Sequence, residues 1–201
     1  MEFLSVEQRN EIAYVTFENP KEYNTLTLRL LEELDELLKD IAQKREVKVV
    51  VLQGSDKAFS AGHSLREIQE GSLHDVQHLF NTCMNVMKTF RAIPQLIVSK
   101  VRGVAVAAGT QVVAISDMAI ASEDARFATP GINSGLFCST PGVFLSRNIG
   151  RKKAAELLFT GNLMSAEEAL QHGLVNKVVP TDKLDEETDQ WLKDVTKQSL
   201  N

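Results

Sequence analysis

Cysteine is scarce in this sequence: 201 residues carry two, Cys83 and Cys138. Two thiols cannot build a disulfide framework, and without a Cys-x-x-Cys pair no metal signature is present. An excess of basic charge is also lacking. Lys and Arg number 22 against 27 Asp and Glu, for a net charge of −5. That balance argues against nucleic acid or a membrane as the main partner, because phosphate surfaces need a basic face. A phosphate-bearing ligand is still allowed, since a few lysines and helix N-termini can hold one. No apolar run is long enough to span a bilayer; residues 48–52 and 101–115 are too short or too interrupted. The opening Met1-Glu2-Phe3-Leu4-Ser5 has neither a basic stretch nor an apolar stretch after it. No signal peptide is therefore expected, and a reducing, cytoplasmic setting is the simplest reading. Internal repeats and low-complexity segments are missing. Gly103, Gly109, Gly131 and Gly135 never fall into a Gly-x-Gly-x-x-Gly or Walker spacing.

Apolar residues make up 43% of the chain and charged residues 24%, a globular balance with material for a sizeable core. Glu11-Ile12-Ala13-Tyr14-Val15-Thr16-Phe17 reads as a strand, and Asn19-Pro20 breaks it. Leu30, Leu34, Leu37, Leu38 and Ile41 recur at helical spacing. Residues 48–52 form a short apolar run suited to a strand buried on both faces. A second helix is expected over residues 74–91, with strands at 96–101, 118–121 and 174–179. The alternation of strands with helix-length connections predicts the α/β class. The end, residues 182–200, reads as a helix that stops without a cap.

Two small-residue segments each lie between a strand and a predicted helix: Lys57-Ala58-Phe59-Ser60-Ala61-Gly62-His63-Ser64-Leu65, and Gly103-Val104-Ala105-Val106-Ala107-Ala108-Gly109-Thr110-Gln111. Small side chains at such turns let a ligand atom approach backbone N–H groups at a helix N-terminus. Two turns facing each other would form an oxyanion hole. The same residues also suit close packing of helix on sheet, and composition leaves both open.

Read in order, the motifs resemble the enoyl-CoA hydratase/isomerase (crotonase) family. Asn19-Pro20-Lys21-Glu22-Tyr23-Asn24-Thr25-Leu26 is similar to the family's Pro…Asn-Ala-Leu turn. Residues 58–65 are similar to its Ala-Phe-x-Ala-Gly-x-Asp-Leu motif, and residues 103–109 to its Gly-x-Ala-x-Gly-Gly-Gly turn. Ser116-Asp117-Met118, Phe127-Ala128-Thr129-Pro130, and the run from Phe159-Thr160-Gly161 to Gly173-Leu174-Val175 complete the order. The resemblance implies a ββα spiral with two roughly perpendicular sheets over residues 1–180. It implies that residues 181–201 begin a C-terminal helical trimerisation segment, most of which is absent. It also implies an acyl-CoA thioester as ligand, CoA entering as part of the substrate with no separate cofactor, and a homotrimer or dimer of trimers. The backbone N–H groups of Ala61 and Ala108 carry over as oxyanion donors. Glu22, Asn24, Leu26, Ala58, Ser60, Gly62, His63, Ser64, Leu65, Ala107, Gly109, Pro130 and Gly135 carry over as substrate-binding positions.

The pattern fails where the family's hydratases place two glutamates: here stand Gln111 and Gly131. An amide is not a base and glycine has no side chain, so ordinary hydration is not expected. Three readings remain: a crotonase-fold decarboxylase or hydrolase that needs no such base, an enzyme using another residue, and a non-catalytic acyl-CoA binder. His63, oriented by Glu67, is one acid–base candidate. Cys138 or Ser139 is another, against a plain helix cap at Thr140-Pro141-Gly142. His74 and His78, spaced i, i+4, lack a third ligand and read as a solvated helix face.

Overall fold

The computed structural model describes residues 1–197. Six strands form one sheet: β1 (Leu4–Arg9), β2 (Ile12–Phe17), β3 (Val49–Gln53), β5 (Leu96–Val101), β7 (Met118–Ser122) and β10 (Lys177–Val179), adjacent in that order. β1 and β2 make an antiparallel hairpin, and every later neighbour is parallel. A smaller sheet runs β4 (Ala58–Ser60), β6 (Val104–Val106), β8 (Arg126–Ala128), β9 (Met164–Ser165). Strands therefore alternate between the sheets along the chain: β3 then β4, β5 then β6, β7 then β8. A helix or helical turn follows each pair, which is the expected spiral of ββα units.

The helices that position the site are α1 (Leu28–Ala42), α2 (Leu65–Glu70), α3 (Leu73–Ala92), α4 (Ala108–Ile115) and α5 (Ser139–Asn148). α1 starts where the Thr27 hydroxyl accepts from Leu30 N–H, and it buries Leu30, Leu31, Leu34, Leu37, Leu38 and Ile41 on one face. α3 opens with a full capping box between Ser72 and Asp75. α4 is buried all round, so its polar residues Thr110 and Gln111 face protein, not water. The chain continues through α6 (Arg151–Thr160), α7 (Ala166–Gln171) and α8 (Leu184–Thr196). α8 lies on the outer face of the large sheet, where Leu192 and Trp191 meet Tyr14, Val49, Val51 and Val98.

Several expectations need correction. The first strand has an unforeseen partner, β1, whose outward residues carry no apolar alternation because all but Leu4 are exposed. The strand expected at residues 174–179 shrinks to Lys177–Val179, since Leu174 and Val175 N–H groups both close onto the Ala169 carbonyl after α7. Thr140 is not a cap. α5 begins at Ser139, and its N-cap residue Cys138 makes no side-chain capping bond. The helix expected over residues 182–200 is a 3-10 turn (Thr181–Lys183) leading into α8, and residues 198–200 lie outside the described region.

Candidate functional site

The two small-residue turns meet. β4 pairs in parallel with β6, so the loops leaving both strands emerge on the same edge. A β-carbon built on Gly62 would lie 2.8 Å from Ala107 Cβ and 2.9 Å from the Ala108 amide nitrogen. One built on Gly109 would lie 2.2 Å from the Ser60 carbonyl oxygen. Neither position tolerates a side chain, and Gly62 also has φ +84°. Ala107 adopts φ +50°, a conformation that suits glycine and strains alanine. Its surroundings hold it there: Ala107 N–H donates to the Ala128 carbonyl at 2.9 Å. The buried Thr110 hydroxyl lies 2.7 Å from the Ala105 carbonyl and 2.8 Å from that of Ala128.

The expected donor Ala61 is corrected by this geometry. Its N–H donates to the Tyr23 carbonyl at 2.9 Å, and the next amide, Gly62, donates to the Ser60 hydroxyl oxygen at 3.1 Å. The next two unengaged amides are those of His63 and Ala108: among the described residues neither meets an acceptor. Ala108 is the first residue of α4, where an N–H has no intrahelical partner and the helix dipole is positive. A residue-by-residue motif match could not reveal that the Ala61 amide is spent, because its acceptor, Tyr23, is distant in sequence.

The remaining positions divide between scaffold and rim. Asn24 is fully buried and pins the turn: its carboxamide accepts from Asn19 N–H and donates to the Ala58 carbonyl at 2.8 Å. Leu26 is core, and its N–H donates to the Gly62 carbonyl. Ala58 and Ser60 are buried in β4, and Ser64 caps α2 by accepting from Glu67 N–H. Glu22, Leu65 and Gly135 are exposed, while Pro130 is half-buried. Glu67 does not orient His63; its carboxylate accepts from Leu28 N–H at 3.0 Å, at the start of α1. His74 and His78 lie on the exposed side of α3, near Asp75 and Glu32.

None of the proton-transfer candidates is poised for that task. Burial pulls the His63 imidazole down to about 4, so the ring is neutral at physiological pH. It packs edge-on against Phe80 of α3, with centroids 4.9 Å apart. Gln111 is fully buried, and its Nε2 lies 3.9 Å from the Cys83 sulfur. Burial pushes the Cys83 thiol up to about 12. At Gly131, a β-carbon would sit 2.4 Å from the Leu136 carbonyl oxygen and 2.8 Å from Cys138 Sγ. The segment 136–138 therefore fills the space a side chain at 131 would need. Burial raises the Cys138 thiol, opposed by the Gly131 amide, and Ser139 is exposed at the start of α5.

The sequence-family comparison decides the kinship of this fold: the model of the enoyl-CoA hydratase/isomerase family matches residues 7–201. The chain belongs to the enoyl-CoA hydratase/isomerase family. It is 45% identical to the human enoyl-CoA hydratase domain-containing protein 3, mitochondrial, over 92% of this chain and 61% of that protein. It is 35% identical to a probable enoyl-CoA hydratase of Rhizobium meliloti (strain 1021), over 92% of this chain and 72% of the relative. The crystal structure of the human domain-containing protein 3 superposes with TM-score 0.95 at 42% identity, covering 98% of this chain and 79% of that one. An enoyl-CoA hydratase structure from Mycobacterium smegmatis gives 0.96 at 41%, covering 100% and 79%. The chain thus spans about three-fifths of the human member's length.

Proposed function

We propose that this family member binds an acyl-CoA thioester and holds its carbonyl oxygen between the backbone amides of His63 and Ala108. One observation carries the reading: the close approach of Gly62 to Ala107 and Ala108, with the two neighbouring amides left without acceptors. Paired donors of this kind stabilise negative charge on a thioester oxygen, as in an enolate or tetrahedral adduct. The family membership supports the choice of thioester. Glu22, Leu65, Pro130 and Gly135 sit at the rim, where a long CoA arm would pass.

Water addition is not part of the proposal. Gln111 and Gly131 supply no base, burial holds the His63 imidazole at about 4 so that it is a poor proton acceptor, and losing one positioned acid–base group typically removes about 10²–10⁴-fold of rate. The site suits a reaction that generates its own enolate, such as decarboxylation, because no proton need be abstracted. Binding without turnover is the second reading, favoured by the same lack of a titratable group at positions 111 and 131. We also propose assembly as a homotrimer or dimer of trimers. The cytoplasmic setting stays a proposal; the mitochondrial location in some relatives' names belongs to those proteins.

Two measurements separate these readings. Crotonyl-CoA should keep its enoyl absorbance in the protein's presence; rapid loss would refute the assignment at 111 and 131. Malonyl-type thioesters should lose CO₂ if the site is catalytic, whereas calorimetric binding with no turnover would favour the binding reading. A bound thioester with its oxygen away from the His63 and Ala108 amides would overturn the central proposal.

A further inference from the structure

A cavity of about 270 Å³ opens on the outer face of the large sheet, between the ends of β3 and β5 and the start of α8. One row of the sheet runs beneath it: Thr16 pairs with Gln53, and Gln53 with Lys100. Side chains two apart on a strand share a face. This row therefore lies on the side of Tyr14, Val51 and Val98, which pack against Leu192 of α8. The opposite face carries Val15, Val50 and Ile97 into the core shared with α3 and α4, the helices beside the thioester turns. The sheet thus stands between this cavity and the proposed thioester site. Two buried polar atoms at the cavity have no partner among the described residues, Gln53 Oε1 and Arg102 Nε. One is an acceptor and the other a donor. Water can satisfy both in a polar cavity, so these atoms alone choose no ligand.

The charges do choose. Lys100 and Arg102 are held in place: their side chains are 13% and 27% exposed, and Arg102 Nη2 also donates to the Thr181 carbonyl at 2.8 Å. Their carboxylate partners are not held. Asp185 and Asp56 are 73% and 87% exposed, and pairs with such partners add little stability. Ligand oxygens can displace them with little loss. Arg9 brings a third cation, its guanidinium 4.9 Å from the centroid of the Tyr14 ring. All three cations act on Asp185: the hydrogen bond from Lys100 holds its carboxyl below the ordinary value against burial, and the charges of Lys100, Arg102 and Arg9 add to that. Asp189 is engaged by the Tyr14 hydroxyl and stays. Three cations therefore face three carboxylates, Asp56, Asp185 and Asp189. A ligand that replaces the two displaceable ones and keeps the balance carries two negative charges. A phosphate monoester does so near neutrality, its second pKa being about 6; a monocarboxylate does not. The arginine fork suits phosphate oxygens, and the Arg102 Nε–H is one donor of that fork. Gln53 Oε1 then calls for a hydroxyl on the same ligand. The cavity is smaller than the roughly 300–1,000 Å³ of drug-sized pockets, so the ligand is small. We propose that this cavity binds a small phosphate monoester bearing a free hydroxyl, its phosphate held by Lys100 and Arg102 in place of Asp185 and Asp56. The site does not depend on the thioester reading.

Calorimetric titration with glycerol phosphate, inorganic phosphate and malate tests the site, repeated for Lys100→Met, Gln53→Leu and Asp185→Ala. Glycerol phosphate should bind about 5-fold more tightly than inorganic phosphate, from one added hydrogen bond to Gln53. Gln53→Leu should bring the two ligands within about 2-fold of each other. Lys100→Met should weaken glycerol phosphate about 10-fold or more, as for a hydrogen bond to a charged group. Asp185→Ala should tighten it about 2–5-fold, because a competing carboxylate is gone. That solvent-facing substitution decides the matter if Lys100→Met does not fold, which far-ultraviolet circular dichroism establishes beforehand. No binding of glycerol phosphate would overturn the proposal. Unchanged affinity in folded Lys100→Met, or affinity unchanged or weakened in Asp185→Ala, would do the same. Tighter binding of malate than of glycerol phosphate would overturn the choice of phosphate. Loss of glycerol phosphate binding on adding CoA would put the phosphate in the thioester groove and overturn a separate site.

Discussion

At the residue scale, Ala107 is the position where sequence and backbone disagree most. Its φ of +50° is strained for alanine, and strain of this kind costs of order 1–3 kcal/mol. Replacing it with glycine removes the strain but adds freedom to the unfolded chain, worth about 0.4–1 kcal/mol. Ala107→Gly should therefore stabilise the protein by about 1 kcal/mol in urea denaturation. Gly131 behaves in the opposite way. Gln111→Glu with Gly131→Glu restores both carboxylates on paper, yet the new side chain at 131 would meet the Leu136 carbonyl and Cys138 Sγ. We expect the double variant to lose about 1–3 kcal/mol of stability and to gain no crotonyl-CoA hydration. Brisk hydration would show that the 131–138 segment moves aside at little cost.

His63 sets a pH dependence whose sign follows from its lowered value. In the unfolded chain the imidazole titrates near 6.5, and in the folded chain near 4. Between those values the unfolded state binds more protons, so stability rises with pH. This contribution is fully present above pH 6.5 and is lost as pH falls through 4, by about 3 kcal/mol in total. Denaturation midpoints at pH 7.5, 6 and 5 should fall more steeply for the intact protein than for His63→Phe. Parallel curves would count against a buried, neutral ring.

At the element scale, α8 shows which kind of contact dominates. Lys100 pairs with Asp185 at 2.5 Å, Tyr14 with Asp189, and Lys177 with Glu187. Asp185 is largely exposed, and exposed pairs contribute about 0–1 kcal/mol. Leu192 is fully buried against Tyr14, Val49, Val51 and Val98. Leu192→Ala should cost about 2–4 kcal/mol, whereas Asp185→Ala should stay within about 1 kcal/mol. Chemical denaturation of the two variants checks the ranking; the reverse order would mean that the polar contacts hold the helix.

At the scale of the whole molecule, several large apolar side chains face outward around α5 and α6. Leu136, Phe137, Val143, Phe159 and Leu163 are exposed, and the Phe137 and Phe159 rings lie 5.3 Å apart. An apolar surface of this kind fits the proposed homo-oligomer. Sedimentation equilibrium should report three or six chains per particle. A single-chain mass across a wide concentration range would remove that proposal.

Much of this molecule is written locally. The helical repeat of leucines in α1, the apolar run of β3 and the Ser-capped start of α3 each depend on residues close in sequence. Their elements were legible for that reason. The ordered small-residue motifs also located both turns of the candidate site, and Gln111 and Gly131 declared the missing bases directly. Other features depend on partners far along the chain. β1 is a strand because Ile12–Phe17 pairs with it, not because of its own pattern. The Ala61 amide is unavailable because Tyr23, brought near by the Asn24 pin, accepts from it. Cys138 fills the space beside Gly131 through packing that no spacing encodes. The sequence by itself determined the fold family and the absence of carboxylates, because those follow from residue identity and order. Which amides remain free was decided only by tertiary structure, since hydrogen bonds are allotted between segments once they meet.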